Sequence, residues 1–321
     1  MAETEKTLLE GCTFGVGNIS GTDVKRVFVR YRNPSHSDCA VWHRKQCADH
    51  VVLSVVIPIA NGSRMEQLLR LVRQIEAQDM QDYELFIVWG DSRQGRAINI
   101  GAWLSRGKFL LTLDDDTSIP DPDTFRKLVD AMEEHADIGM AGGNNVVPDG
   151  ASSFVRKAME QIPRRSWKPV REITDSDLAE HPCLIMRTDV FRCVGGENEL
   201  IPRGLDPYLR QAFREAGWRV VLVPGVRYHH LLPDSLPRLL RQYFRNGRQA
   251  AYVQKYYPQW MIETPVGHGP FRIQVPFASR VKRFPFRLLE AMVKGKPIWL
   301  ASELAYALGF VCEFVGFGKW E

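Results

Sequence analysis

Apolar residues recur along this chain in two patterns: unbroken runs, and runs at helical spacing. Residues 51–59 (VVLSVVIPI) are almost entirely apolar and stop at Asn61-Gly62. Such a β-branched run predicts a strand buried on both faces, as in a parallel sheet. Residues 63–79 then space Met65, Leu68, Leu69, Val72 and Ile75 along one helical face. A second strand follows over 83–89, closed by Gly90-Asp91-Ser92, then a helix over 96–106 and a third strand over 109–113. Strand, helix, strand, helix, strand is the order of a doubly wound α/β unit, whose ligands lie at the carboxyl ends of the strands.

The pattern continues with a helix over 124–135, a short strand over 138–141 and a polar, proline-containing stretch over 147–180. An apolar piece at 183–194 ends in Gly195-Gly196, and 207–216, 218–223 and 237–256 read as helix, strand and helix. Residues 1–50 read as a polar, irregular lead-in. A length of 321 residues suits one large domain with additions, and a core of that size needs no disulfide staples. The six cysteines (Cys12, Cys39, Cys47, Cys183, Cys193 and Cys312) have no scaffold spacing, which points to a reducing, cytoplasmic setting. The first residues, MAETEKTLLEG, lack the charged-then-apolar order of a signal sequence. No unbroken apolar run reaches the ~18–20 residues of a membrane span. With 42 Lys and Arg against 38 Asp and Glu, the net charge of +4 is too small to indicate a nucleic-acid partner.

The third strand ends in three consecutive carboxylates, Asp114, Asp115 and Asp116. Held together at a strand end they repel one another unless a cation neutralises them, and hard oxygen ligands suit Mg2+ or Mn2+. Such an ion can bridge two phosphates of a nucleotide. The plainer reading is a solvated cap before the next helix, since Thr117 and Pro120 follow.

Taken in order, Ser54-Val55-Val56-Ile57-Pro58-Ile59-Ala60-Asn61, the run 83–92, Arg96-Ala97-Ile98-Asn99-Ile100-Gly101-Ala102, Gly107-Lys108 and Leu113-Asp114-Asp115-Asp116 resemble the GT-A glycosyltransferases of family 2. Val194-Gly195-Gly196-Glu197-Asn198-Glu199 looks like that family's Gly-Gly-Phe-Asp-Glu turn. Leu205-Asp206-Pro207-Tyr208-Leu209 looks like its Glu-Asp-bearing helix, and Tyr228-His229-His230 closes the likeness, which covers about residues 51–255.

The resemblance implies an α/β GT-A fold, a Rossmann-like nucleotide-binding sheet continuous with an acceptor-binding half, plus N- and C-terminal extensions, divided as 1–50, 51–262 and 263–321. It implies an inverting hexosyltransferase that takes a UDP- or GDP-linked sugar, with Mn2+ or Mg2+ held by the Asp-x-Asp motif. Asp116 is then the direct metal ligand, Asp114 contacts the metal or the ribose, and Asp115 can replace either. His230, by its spacing from Pro224, is the candidate third ligand, with paired surface histidines as the plain alternative. Asp206 matches the general base that deprotonates the acceptor hydroxyl in one inverting displacement. Preceding Pro207, it also reads as a helix N-cap. Pro58, Asn61, Asp91, Arg93 and Arg96 fall at the first two strand ends, where base, ribose and phosphate belong, while Asn99 orders the loop. The chain departs from the family pattern at Ala60, where an aromatic is usual, at Trp89-Gly90-Asp91, where two acids are, and at Leu205 in place of Glu.

Two stretches lie outside this likeness. His36, Cys39, His43, Cys47 and His50 gather five metal-ligating side chains in fifteen positions. On a helix Cys39, His43 and Cys47 share a face, and a structural zinc is weighed there against incidental Cys and His. Residues 280–296 carry six Lys or Arg and one Glu, a local +5 that leaves the rest of the chain at −1. With the largely apolar 298–315, they fit a segment lying on an anionic membrane surface, at its inner face, near a saccharide or lipid-linked acceptor of polysaccharide biosynthesis. The alternative is a helix pair packed on the domain or between copies in a homo-oligomer. A dehydrogenase is excluded by the missing Gly-x-Gly-x-x-Gly turn. A nucleotidyltransferase-like enzyme and a non-catalytic GT-A-fold binding protein with a degraded site are the competing functions.

Overall fold

The computed structural model describes residues 13–14, 40–45, 50–165, 168–262, 268–269 and 276–316. Among these, one nine-stranded sheet carries the fold. Its strands are β1 (Thr13–Phe14), β2 (Ala40–Lys45), β3 (Leu53–Ile59), β4 (Tyr83–Trp89), β5 (Phe109–Thr112), β6 (Ile138–Asn145), β7 (Thr174–Asp175), β8 (Leu184–Arg187) and β9 (Arg219–Tyr228). Their spatial order is β1-β2-β4-β3-β5-β8-β6-β9-β7. Helices α1 (Met65–Glu76), α2 (Gln94–Leu104), α3 (Thr124–Glu134), α4 (Ser153–Gln161), α5 (Thr188–Cys193) and α6 (Leu205–Glu215) connect them.

β3 pairs in parallel with both β4 and β5, as its unbroken apolar character predicts. Leu53, Val55, Ile57 and Ile59 share a core with Leu71 and Ile75 of α1 and with Phe125 and Leu128 of α3. Val56 belongs instead to the core formed with Ala97 and Ile98 of α2 and Leu209 and Phe213 of α6. At about 1.5–3 kcal/mol for each large apolar side chain fully buried, these two cores fix the register of β3, since a one-residue slip would exchange its faces.

The sheet is mixed rather than parallel throughout. β8 enters between β5 and β6 antiparallel to both, with Thr112 beside Leu184. The residues just before β8 therefore stand at the carboxyl end of β5. The lead-in also contributes to the sheet: β2 runs antiparallel to β4 with Trp42 opposite Ile87, and backbone pairing of this kind is indifferent to side-chain polarity. His43 thus sits on a strand and not on a helix face. His36, Cys39 and Cys47 lie outside the described residues, His50 is exposed, and no described feature supports the zinc reading.

Three C-terminal helices follow: α7 (Leu236–Tyr256), α8 (Phe277–Val293) and α9 (Pro297–Phe314). A Cβ on Gly247 would lie 2.0 Å from the Tyr306 carbonyl oxygen, and one on Gly309 would lie 2.0 Å from that of Phe244. Only glycine lets α7 and α9 approach so closely. By length and composition α9 is apolar enough to cross a membrane. Its two acids turn inward, Glu313 to Arg248 at 2.9 Å and Glu303 to Arg287 and to the Trp299 indole N–H at 3.0 Å. Leu304, Leu308 and Val311 face outward, and α8 leaves Val281, Phe286, Leu289, Met292 and Val293 exposed.

Candidate active site

The turn after β5 is closed by the Thr117 N–H, which donates to the Asp114 carbonyl at 3.0 Å. Ser118 and His229 then exchange backbone hydrogen bonds of 2.9 and 2.8 Å, and this bridge carries the end of β9 to the acidic turn. The His229 ring is engaged by the Val146 carbonyl at 2.7 Å. His230 is placed by Asn145, whose carboxamide accepts from its N–H and donates to its carbonyl, both at 3.0 Å. One ligand atom each from Asp114, Asp116 and His230 then fall within 4.8 Å of one another. Asp116 Oδ1 lies 3.3 Å from His230 Nε2, yet it and His230 Nδ1 are buried without a hydrogen-bond partner.

Asp115 is turned to Arg64, whose guanidinium stands 2.8 Å from it and 2.9 Å from Asp116. Gln94 donates to Asp114 Oδ1 at 2.7 Å. Burial, opposed by His230 and reinforced by Asp116, pushes the Asp114 carboxyl up to about 6. Burial acts on Asp116 in the same direction, but His230 and Arg64 outweigh it and leave that carboxyl below its ordinary value. Two carboxylates and one imidazole with orphaned buried atoms fit a divalent cation, Mn2+ taking both ligand types and Mg2+ preferring the oxygens.

Asp206 lies in the first turn of α6, held against His181 just before β8. It is not the N-cap; Gly204 at φ +86° holds that place and Leu205 begins the helix. Leu205 packs with Ile201 and Val253, which explains an apolar residue where the family pattern has Glu. Asp206 Oδ1 accepts the His181 N–H at 2.8 Å and also contacts the ring Nδ1. His181 Nε2 stands 2.6 Å from Glu197 Oε1. The side chains of His181 and Glu197 are 3% and 0% exposed, that of Asp206 32%.

Burial favours a neutral imidazole, but Asp206 and Glu197 outweigh it and hold the His181 pKa well above the usual histidine value. In return His181, against the pull of burial, holds Asp206 below the ordinary carboxylate range. Asn99 secures the far end, donating to the Glu197 carbonyl at 3.0 Å and accepting its N–H at 2.8 Å. Gly196, at φ +71°, makes this possible, since a Cβ there would lie 2.5 Å from Asn99 Oδ1. His181 carried no motif in the sequence, and the antiparallel run of β8 is what delivers it here. Glu197 stood inside the recognised turn without a role.

On the nucleotide side the expected residues divide. Asp91 is buried and binds Arg96 through two contacts, one of them 2.7 Å, while accepting the Arg93 N–H at 2.8 Å. Asp91 and Arg96 thus direct their charges at each other. The Arg93 guanidinium donates to the Leu200 carbonyl at 3.0 Å and lies over the Tyr252 ring. Pro58 is half-buried in β3, and exposed Asn61 accepts the Ser63 N–H at 3.0 Å. Ala60 supplies no aromatic, and the Trp89 indole stands beside Gly62, 3.2 Å from where a Cβ there would lie.

The model of the glycosyl transferase family 2 matches residues 90–195. A mannosyltransferase from Pyrobaculum calidifontis, solved with GDP-Man and Mn2+, has a similar structure at 12% identity and a TM-score of 0.50, over 92% of this chain and 96% of that one. S. aureus TarS residues 1–349, solved with UDP-GlcNAc, gives a TM-score of 0.43 at 11% identity, over 83% of this chain and 91% of that one. No curated protein sequence matches the chain. The Asp114/Asp116 pair at the end of β5 and the GT-A sheet around it agree with this likeness, and residues 90–195 of the chain are those similar to the glycosyl transferase family 2.

Proposed function

We propose that the chain is an inverting, metal-dependent hexosyltransferase that moves a sugar from a UDP- or GDP-linked donor to a hydroxyl of a saccharide or lipid-linked acceptor. The observation that supports it is the pairing of two sites at one set of strand ends: the Asp114, Asp116 and His230 group, and the separately held Asp206. Asp114, Asp116 and His230 would hold Mn2+ or Mg2+, whose charge stabilises the leaving diphosphate. Asp206 accepts the acceptor's proton; one such carboxylate suffices for a single displacement with inversion, whereas a covalent glycosyl-enzyme needs two. Asn61, Pro58 and the Trp89 indole flank the place of the base, and Arg64 is positioned to exchange its carboxylates for diphosphate oxygens. The GDP-Man and Mn2+ of the Pyrobaculum enzyme agree with this donor class.

The test is a panel of nucleotide-sugars with Mn2+, read by binding heat and nucleoside diphosphate release. A UDP- or GDP-sugar is expected to bind only with metal, and Asp116→Ala to abolish that binding. Failure of every nucleotide-sugar to bind under any metal condition would refute the reading.

The acceptor side of the reading includes an anionic membrane surface. The outward apolar residues of α8 and α9 lie close in sequence to Lys282, Arg283, Lys294 and Lys296, with Lys294 paired to Glu290, so this segment combines exposed apolar area with net positive charge. The full chain is expected to float with phosphatidylglycerol-containing vesicles and not with phosphatidylcholine alone, and the Phe286→Glu, Leu289→Glu variant to stay behind. Equal partitioning of variant and parent would discard the membrane surface.

A further inference from the structure

The base side of the site holds more than a base. Asp206 Oδ1 receives two donors from one residue, the backbone N–H and ring Nδ1 of His181, which leaves Oδ2 for a substrate hydroxyl. The other ring nitrogen reaches Glu197 Oε1 at 2.6 Å, and Glu197 Oε2 is buried with no hydrogen-bond partner. Glu197 Oε1 is therefore placed to receive the Nε2 proton of His181.

Resting on the reading of Asp206 as general base, we propose that His181 and Glu197 form a proton relay behind it. As Asp206 Oδ2 takes the proton of the acceptor hydroxyl, the Nε2 proton of His181 passes to Glu197 Oε1. The acceptor oxygen forms its bond to the anomeric carbon while the bond from that carbon to the diphosphate breaks, its electron pair leaving with the diphosphate. The three groups end neutral, carrying one proton more than before, and return it to water after product release. The shift removes the positive charge that depresses the basicity of Asp206 at the moment a base is needed. His181 and Glu197 are positioning residues in this scheme, since neither touches the substrate. Other charges that act on this group include Arg210, Arg165 and Asp114 at Asp206, and Glu199, which shares Asn99 with Glu197.

The experiment is 15N-histidine NMR on the full chain, with His181 assigned by the loss of its signals in His181→Gln. In the parent both ring nitrogens are expected to carry protons from pH 6 to 8. Asp206→Asn, an uncharged mimic of the protonated base, is expected to leave His181 neutral with its proton on Nδ1 alone. Glu197→Gln, isosteric and unable to take the proton, is expected to lower kcat about tenfold with donor KM unchanged, in the nucleotide-sugar assay. A doubly protonated His181 in Asp206→Asn, or parental kcat in Glu197→Gln, overturns the relay. Absence of turnover with every nucleotide-sugar sinks the transferase reading alone, and the NMR arm then decides the relay by itself.

Discussion

Two groups of acids gather near the carboxyl end of β5, and they solve the problem of buried negative charge in opposite ways. Asp114 and Asp116 have partial partners in His230 and Arg64 and keep an orphaned oxygen, and the Asp114 carboxyl rises to about 6. Asp206 and Glu197 enclose a cation of their own, His181, and Asp206 falls. Identical side chains therefore titrate apart because of what neutralises them. One group is left short of positive charge and suits an ion from solution; the other encloses its own cation between two carboxylates and suits proton transfer. Each is anchored by one asparagine that clamps a neighbouring backbone, Asn145 at His230 and Asn99 at Glu197.

The contrast breaks most sharply at Asp206. Asp206→Asn is expected to lower kcat by about 10²–10⁴-fold, the range of general-base catalysis, while metal-dependent donor binding stays unchanged. Nucleoside diphosphate release and calorimetry measure the two separately, and loss of both would make Asp206 a structural residue. Asn145→Ala should weaken Mn2+ binding by about 10–100-fold, as removal of a group that orients a metal ligand does, without changing the ring protonation of His181.

The pH dependence of metal binding sharpens the comparison further. A proton on Asp114 or on His230, which against the pull of burial Asp116 and Asp114 hold above its ordinary value, blocks a cation, so Mn2+ affinity should climb with pH through about 6 and continue to rise above it. Calorimetry at pH 5 and pH 7 should differ by at least about tenfold, and equal affinities would mean that neither Asp114 nor His230 is a ligand. The smallest effect is expected at Arg64, which competes with an added cation for Asp115 and Asp116. Its partly exposed pairs are worth about 0.5 kcal/mol, so Arg64→Ala should tighten Mn2+ binding two- to threefold; weaker binding would place Arg64 among groups that assist the ion.

Much of this architecture is written locally. The unbroken run that becomes β3, the helical spacing of Leu68, Val72 and Ile75, and the acids after β5 all depend on neighbours in the chain. The reversal of β8 was not legible, because an apolar run carries no mark of its direction in a sheet. With that reversal hidden, His181 was an unremarkable residue before a strand. The pairing of Asp91 with Arg96 was equally hidden, since both fit a nucleotide site by position and only their mutual approach shows where their charges go. The acids of α9 illustrate the same limit. In sequence Glu303 and Glu313 interrupt an apolar run, whereas in the fold they turn to Arg287 and Arg248 and leave the outer face apolar.

The periodic order of strands and helices, the three acids at a strand end, and the succession of short motifs that resembles family 2 are all local properties of the chain. These follow from hydrophobic periodicity and backbone conformation, which act over a few residues. Tertiary structure alone decided that His230 meets Asp114 and Asp116, and that His181 stands between Asp206 and Glu197. Charges and hydrogen bonds act through space over a few ångströms, and chain separation says nothing about that distance until strands have paired and reversed.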